Sequence, residues 1–368
     1  MIIPENNWYN LARKILKAGG PPVPVNENLI DLLKTLINED QVEFLLNFKK
    51  PLNFEQIQEK TDIDVKSLND TLENLMNVGF LTGIPSRRTG IMVYRLVALL
   101  PGLLEFTLMK GESGPKQKKI ARIWEQIFED ATEMTQNNYD IVVNAFKNAP
   151  AIDHVIPIGE KLEITEDSVL PNENIEKILD KFEVFSVSHC YCRHRKNLLD
   201  DPCKVNAPTL NCLSFGRTAR FVIDHGFAKQ ISKDESLTIL KEAEELGLVH
   251  KAFHVNGDPN LEELAICNCC QCCCGSFGNF YRGAAPTSTM SSHIAFIDEQ
   301  TCIACGTCLE VCPMSAPTLE GDYYIINSEK CLGCGVCINK CPEQAIRLQE
   351  TELRRVFIPP KKIPIHQE

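Results

Sequence analysis

The chain has 368 residues, enough for two to four domains with cores of their own, and a formal net charge of −11. That acidic balance argues against general affinity for nucleic acid or anionic membrane. Its eighteen cysteines sit in a large chain that opens without a signal-peptide pattern. They point to metal ligation in a reducing cytoplasm, and suit an anaerobe, rather than to disulfides.

In chain order, residues 1–26 read as a short helix and a linker ending Gly-Gly-Pro-Pro-Val-Pro. Residues 27–110 begin with helices whose apolar faces are Leu29, Ile30, Leu32, Leu33 and Leu36, then Val42, Phe44, Leu45 and Leu46. Phe54 to Thr61 and Asp64 to Val78 follow as a further helix pair, with Val65, Leu68, Leu72 and Leu75 facing inward. Two short strands at Gly79-Phe80-Leu81 and Met92-Val93-Tyr94 flank Ser86-Arg87-Arg88-Thr89-Gly90. This order resembles a winged helix-turn-helix domain. Its recognition helix would present Lys66, Asp70, Glu73 and Asn74, a poor match to phosphates, so the resemblance implies protein docking rather than DNA binding. The most apolar stretch, Leu96 to Leu104, is too short to span a membrane and is expected in a core or a subunit contact.

Residues 111–181 read as a helical connector. An amphipathic helix from Lys116 to Gln136 carries Ile120, Ile123, Trp124, Ile127 and Phe128 on one side. A mixed segment runs to Pro171, and Asn172 to Lys181 returns to helix.

Residues 182–290 form a Cys-rich α/β domain. A strand from Glu183 to Ser188 delivers His189, Cys190, Cys192, Arg193 and His194, with Cys203 and Cys212 beyond. Helices are expected over Gly216–His225 and Ser232–Leu246, the second opened by a Ser232/Glu235 capping box and stopped by Gly247. Strands over Leu248–Val255 and Leu264–Ile266 lead into Cys267, Cys269, Cys270, Cys272, Cys273 and Cys274. A βααβ-like layer would bring both Cys-rich loops to one edge.

Cys190, Cys192, Cys203 and Cys212 suffice for one [4Fe–4S] cluster, with zinc as the competing occupant. In the six-Cys loop, neighbours in an extended chain point to opposite sides. Cys269–Cys270 and Cys272–Cys273 are therefore not expected to ligate one cluster together. The ten thiols imply one or two further iron–sulfur clusters. His189 and His194 are candidates to donate to cluster sulfur, and Arg193, Arg195 and Lys196 to offset its charge. Cys273-Cys274-Gly275 is similar to the Cys-Cys-Gly loops of heterodisulfide-reductase-type subunits, without their wider spacing. Gly275 to Gly283 reads as a glycine-rich cover.

Residues 291–350 contain C-x2-C-x2-C-x3-C-P twice, at Cys302, Cys305, Cys308, Cys312 and at Cys331, Cys334, Cys337, Cys341. This stretch resembles the bacterial two-cluster ferredoxins. The resemblance implies two [4Fe–4S] clusters, one held by Cys302, Cys305, Cys308 and Cys341, the other by Cys331, Cys334, Cys337 and Cys312. Residues 351–368 read as an extended tail lying across a neighbouring surface.

The expected fold class is therefore α+β multidomain: winged helix, Cys-rich α/β domain, two-cluster ferredoxin-like domain. With no flavin, nucleotide or nucleophile motif, the chain reads as an electron-transfer subunit of a larger low-potential oxidoreductase. It would serve redox partner proteins within a hetero-oligomeric complex or a homo-oligomer. The alternatives are a redox-sensing transcription regulator and a thiol/disulfide oxidoreductase with catalysis at the six-Cys loop.

Overall fold

Short polar side chains open most of the N-terminal helices by accepting the first free backbone N–H groups. Asn26 caps α2 (Glu27–Leu36), Asn38 caps α3 (Glu39–Leu45), Asn53 caps α4 (Phe54–Thr61) and Asp64 caps α5 (Val65–Asn77), all following α1 (Asn6–Lys17). A hairpin of β1 (Leu81–Pro85) and β2 (Met92–Leu96) comes next, then α6 (Leu104–Leu108), α7 (Pro115–Asn137) and α8 (Tyr139–Lys147). The structure is a computed structural model, and it describes residues 6–86, 88–147, 153–158, 174–254, 263–351 and 356–362. Arg87, the mixed segment at 159–173, Val255 and most of the expected tail lie outside those residues.

The apolar stripe of α7, centred on Trp124, packs into the same core as α1 to α6. The helix expected to connect two domains is thus part of the first one. Leu99, Leu103 and Leu104 are buried in that core too, where the chain turns at Pro101 and Gly102. Leu198, Phe221, Val222 and Phe227 enter it from the Cys-rich domain, and Phe106 lies 4.8 Å from Phe227, ring to ring.

The Cys-rich domain is built from β3 (Asp153–Ile156), α9 (Ile175–Leu179), β4 (Phe185–His189), α10 (Tyr191–Leu198), β5 (Leu210–Phe215) and α11 (Gly216–Asp224). It continues through β6 (Lys229–Ile231), α12 (Lys233–Glu245), β7 (Val249–His254), β8 (Glu263–Cys269), α13 (Gly275–Arg282) and β9 (Ser288–Thr289). Its strands form one seven-stranded sheet in the order β6-β4-β5-β8-β7-β3-β9, antiparallel except for the β3–β9 pair. Because β4 and β8 both pair antiparallel with β5 between them, they run the same way and end at the same edge. The start of β5 lies there too, opposite His189. That edge collects all ten cysteines outside the ferredoxin-like domain.

Three expectations needed correction. β8 runs on through Cys269, because its last residues pair with the start of β7, Val249 opposite Cys269. Tyr191 to Leu198 is helix rather than loop. The glycine-rich cover is the helix α13, since only Gly283, at φ 81, is left-handed and ends it.

The final domain comprises β10 (His293–Ile297), α14 (Thr307–Val311), β11 (Pro317–Glu320), β12 (Tyr323–Ile326), α15 (Val336–Lys340) and β13 (Ile346–Glu350). β10 pairs with β13 and β11 with β12. Beyond it, Phe357 N–H donates to Ser288 O at 2.8 Å and its ring stacks 3.9 Å from Phe280. The segment then crosses α7 and α8, where Lys362 N–H donates to Gln136 and Lys361 pairs with Asp140 at 2.9 Å. No helix among the described residues is long and apolar enough to cross a membrane.

Candidate metal and redox centres

In the final domain each cysteine loop ends at a glycine in the left-handed region, Gly306 at φ 83 and Gly335 at φ 78, which opens a one-turn helix. Each helix carries its motif's last cysteine away from its own loop. One cavity of about 370 Å³ is lined by Cys331, Cys334, Cys337 and Cys312. A second, of about 330 Å³, is lined by Cys302, Cys305, Cys308 and Cys341. Both donor sets fit a four-thiolate cluster whose fourth ligand comes from the other motif.

The two cavities differ in setting. Burial pushes the Cys334 thiol up to about 12 and raises Cys337 as well. Cys305 is exposed, and hydrogen bonding to Thr307 lowers its thiol; Ile303 beside it is 60% exposed. The inner loop is clamped to the large sheet. Ile158 N–H, just past β3, donates to Cys334 O at 2.9 Å, and Ser291 N–H donates to Leu332 O at 3.0 Å. Leu332, Val336 and Met314 share a core with Val155, Ile158 and six cysteines of the sheet edge.

Those six are Cys190, Cys192, Cys212, Cys267, Cys269 and Cys274. They form a run of neighbouring thiols, from Cys190 to Cys212, Cys267, Cys269, Cys274 and Cys192. Strand alternation explains part of the set: Cys267 and Cys269 share one face of β8, while Asn268 and Cys270 take the other. Donating to a neighbouring thiolate raises Cys192, Cys212, Cys267 and Cys269 well above the usual thiol range, and burial adds to it. Cys274 is held far below it by hydrogen bonds from Cys192 and Cys269. Six buried thiols in this array ionise together only if cations enter with them.

The other four, Cys203, Cys270, Cys272 and Cys273, have all their sulfurs within 4.8 Å of one another. The turn after β8 places Cys272 and Cys273 on the same side, 3.7 Å apart, against the expectation from an extended chain. Cys203 joins them rather than Cys190, Cys192 and Cys212, at 3.6 Å from Cys270 and 3.8 Å from Cys272. The ten thiols therefore sort by face of the six-Cys loop, not by loop of origin.

Arg193, 1% exposed, lies between the two sets. Its guanidinium donates to Pro208 O at 2.6 Å, Asn211 Oδ1 at 2.8 Å, Asn268 O at 3.2 Å and Cys270 Sγ at 3.6 Å. Burial opposes its charge, but the thiolates of Cys190 and Cys270 outweigh this and raise its pKa. The hydrogen bond from Cys273, aided by Arg193, holds Cys270 down to about 5. Of the other candidates beside the thiols, Arg195 lends its charge to Cys192, and the rest bond to partners other than sulfur. His194 Nε2 bonds Glu112 O at 2.7 Å, and His189 Nδ1 lies 3.1 Å from Thr209 Oγ1. Arg195 pairs with Glu125, and Lys196 with Asp201 at 2.8 Å.

A cleft open to solvent adjoins the six-thiol set, and Cys270 and Cys273 of the other set, beneath Leu100, Pro101 and Leu104. Glu105 and Tyr191 reach into it, and burial raises the pKa of both. Lys251, 2% exposed, faces it from β7, 3.3 Å from Asp153 and 2.9 Å from Ser288 Oγ. Burial opposes the Lys251 charge, yet Asp153 and the nearby thiolates raise its pKa. These polar groups were not foreseen. The one available signal was Lys251, a lone lysine inside a short strand.

Residues 295–348 match the family model for a 4Fe-4S dicluster domain. No curated protein and no solved structure matches the chain. The match supports iron–sulfur clusters in the final domain, and the four-thiol group at the sheet edge has the spacing that could hold a metal ion.

Proposed function

We propose that this protein is an electron-transfer subunit of a larger low-potential oxidoreductase. In this reading the ferredoxin-like domain passes single electrons between a redox partner and a centre at the six-thiol edge. Bound [4Fe–4S] clusters would supply reversible one-electron steps. The chain's own residues give the path its order. Cys302, Cys305, Cys308 and Cys341 hold the outer position, where Cys305 and Ile303 are open to a partner. Cys312, Cys331, Cys334 and Cys337 hold the inner one.

The observation that carries the reading is the Ile158–Cys334 backbone bond, which seats the inner loop on the sheet that holds the six thiols. Helix α5 and the β1–β2 hairpin are read as a winged helix kept for docking. The exposed face of α5 bears Lys66, Asp70, Glu73 and Asn74, with too little positive charge for a duplex.

The test is anaerobic purification with iron and sulfide counts, then EPR during a redox titration. The reading expects more than about eight irons, signals from two ferredoxin-type clusters at low potential and at least one further component. Colourless protein, or about eight irons and no third component, counts against it.

A second reading is favoured by the cleft beside the six thiols. There the subunit would itself reduce a small molecule, with Glu105 and Tyr191 positioned to hold protons near it. Turnover of a small thiol or disulfide substrate by the isolated chain, lost in Glu105→Gln, separates this reading from pure electron relay.

A further inference from the structure

We infer that Cys203, Cys270, Cys272 and Cys273 hold a single zinc ion, not an iron–sulfur cluster. A Zn–S bond of about 2.3 Å fixes the edge of a sulfur tetrahedron at about 3.8 Å. Three of the six sulfur separations are 3.6 Å for Cys203–Cys270, 3.8 Å for Cys203–Cys272 and 3.7 Å for Cys272–Cys273, and the others lie within 4.8 Å. In a cubane each thiolate binds a different iron, so the metal–metal spacing is added to the sulfur–sulfur edge.

The same chain provides the contrast. Among the described residues, no three of the eight ferredoxin-domain thiols lie within 4.8 Å of one another, and neither do any three of the six-thiol set. Only the four-thiol group is drawn in to the dimensions of one ion. Cys203, Cys270 and Cys273 are each under 9% exposed, Cys272 is half-buried, and Ala207, Ala243 and Leu248 pack around them. A closed, all-thiolate tetrahedron is the geometry of structural zinc, and such a site prefers Zn²⁺ to Fe²⁺. Four thiolates and one divalent ion leave two negative charges, which Arg193 partly offsets through its bond to Cys270.

The ion would act as a clamp. Cys270 and Cys273 are the immediate neighbours of Cys269 and Cys274, so tying the turn on one face fixes two thiols of the six-thiol set on the other. This refines the occupancy of the middle domain and rests on reading its cysteines as ligands. The wild-type iron and sulfide counts test that broader reading separately.

The experiment is metal analysis and zinc-edge X-ray absorption on anaerobically purified wild-type protein, with Cys203→Ser beside it. The wild type should hold about one zinc per chain, with four sulfurs near 2.3 Å and no neighbouring iron. Cys203→Ser should lower zinc at least about fivefold while the two ferredoxin-type EPR signals keep their intensity. Iron at the site, as a lone ion or a four-iron cluster, overturns the inference. So does a Cys203→Ser protein that loses iron and sulfide together and keeps its zinc. Should that variant not fold, the wild-type absorption spectrum decides alone.

Discussion

Replacing Arg193 by Met isolates what the buried guanidinium contributes. Met has similar reach and no donor. The change leaves Pro208 O, Asn211 Oδ1, Asn268 O and Cys270 Sγ each short of a hydrogen bond in a dry interior. At about 1 kcal/mol for each abandoned acceptor the loss is about 4 kcal/mol. An independent route, removing one partner of a buried charge pair, gives about 3–5 kcal/mol.

Arg193→Lys keeps the charge and loses the planar fork, so it should recover only part of that loss. Thermal unfolding of the anaerobically purified protein reads both variants. At about 2–4 °C per kcal/mol, Arg193→Met should melt roughly 8–16 °C below the parent, with Arg193→Lys between them. The same loss of positive charge should move the six-thiol component of a redox titration to lower potential. If the Met variant melts within about 2 °C of the parent, the guanidinium is not the bridge described here.

Gly335→Ala places a Cβ 2.0 Å from Ile158 O at a φ of +78. Backbone strain alone costs about 1–2 kcal/mol, and the clash adds to it. A lower melting temperature and slower reduction of the inner centre, followed by stopped-flow absorbance, are expected. Cys312→Ser and Cys334→Ser should alter the same EPR component, and Cys341→Ser the other; two components changed by Cys312→Ser and Cys334→Ser would refute the crossed ligation. Burial raises the pKa of Glu105 above its ordinary 4.5, so the folded state binds its proton more tightly than the unfolded chain. Its stabilising contribution is present below about pH 4.5 and is lost as pH rises through the folded pKa. Glu105→Gln should flatten that part of the stability–pH curve in thermal scans, and an unchanged slope would remove Glu105 from the account.

Local chemistry was legible in the sequence where it depends on local chain geometry. The two ferredoxin-type loops and the Ser232/Glu235 capping box each need only a few consecutive residues, and the capping box is present as read. The crowding of ten thiols at one sheet edge also followed from strands that end in cysteine. Their sorting did not, because it depends on pairing across the sheet. Leu210–Phe215 is a strand that the sequence does not mark, because Cys212 and Leu213 fall side by side and break the apolar–polar alternation. Yet this strand carries Cys212 between β4 and β8. Cys203 likewise meets Cys270 across 67 residues of sequence separation. No spacing rule spans such a distance. The adjacent pair Cys272–Cys273 misled for the opposite reason: strand alternation was applied to residues that lie in a turn.

The ferredoxin-like domain leaves the large sheet just after β9 and returns to it at Val356, which bridges back to Thr289 on that same short strand. With the inner loop also bonded to Ile158 and Ser291 and sharing a core with the sheet edge, the domain is held as a fixed body and not as a carrier on a leash. In the proposed relay role, a partner protein would therefore settle on the fixed face around Cys305 and depart again. The speed of exchange would then follow the lifetime of that encounter, not any swivelling within the chain.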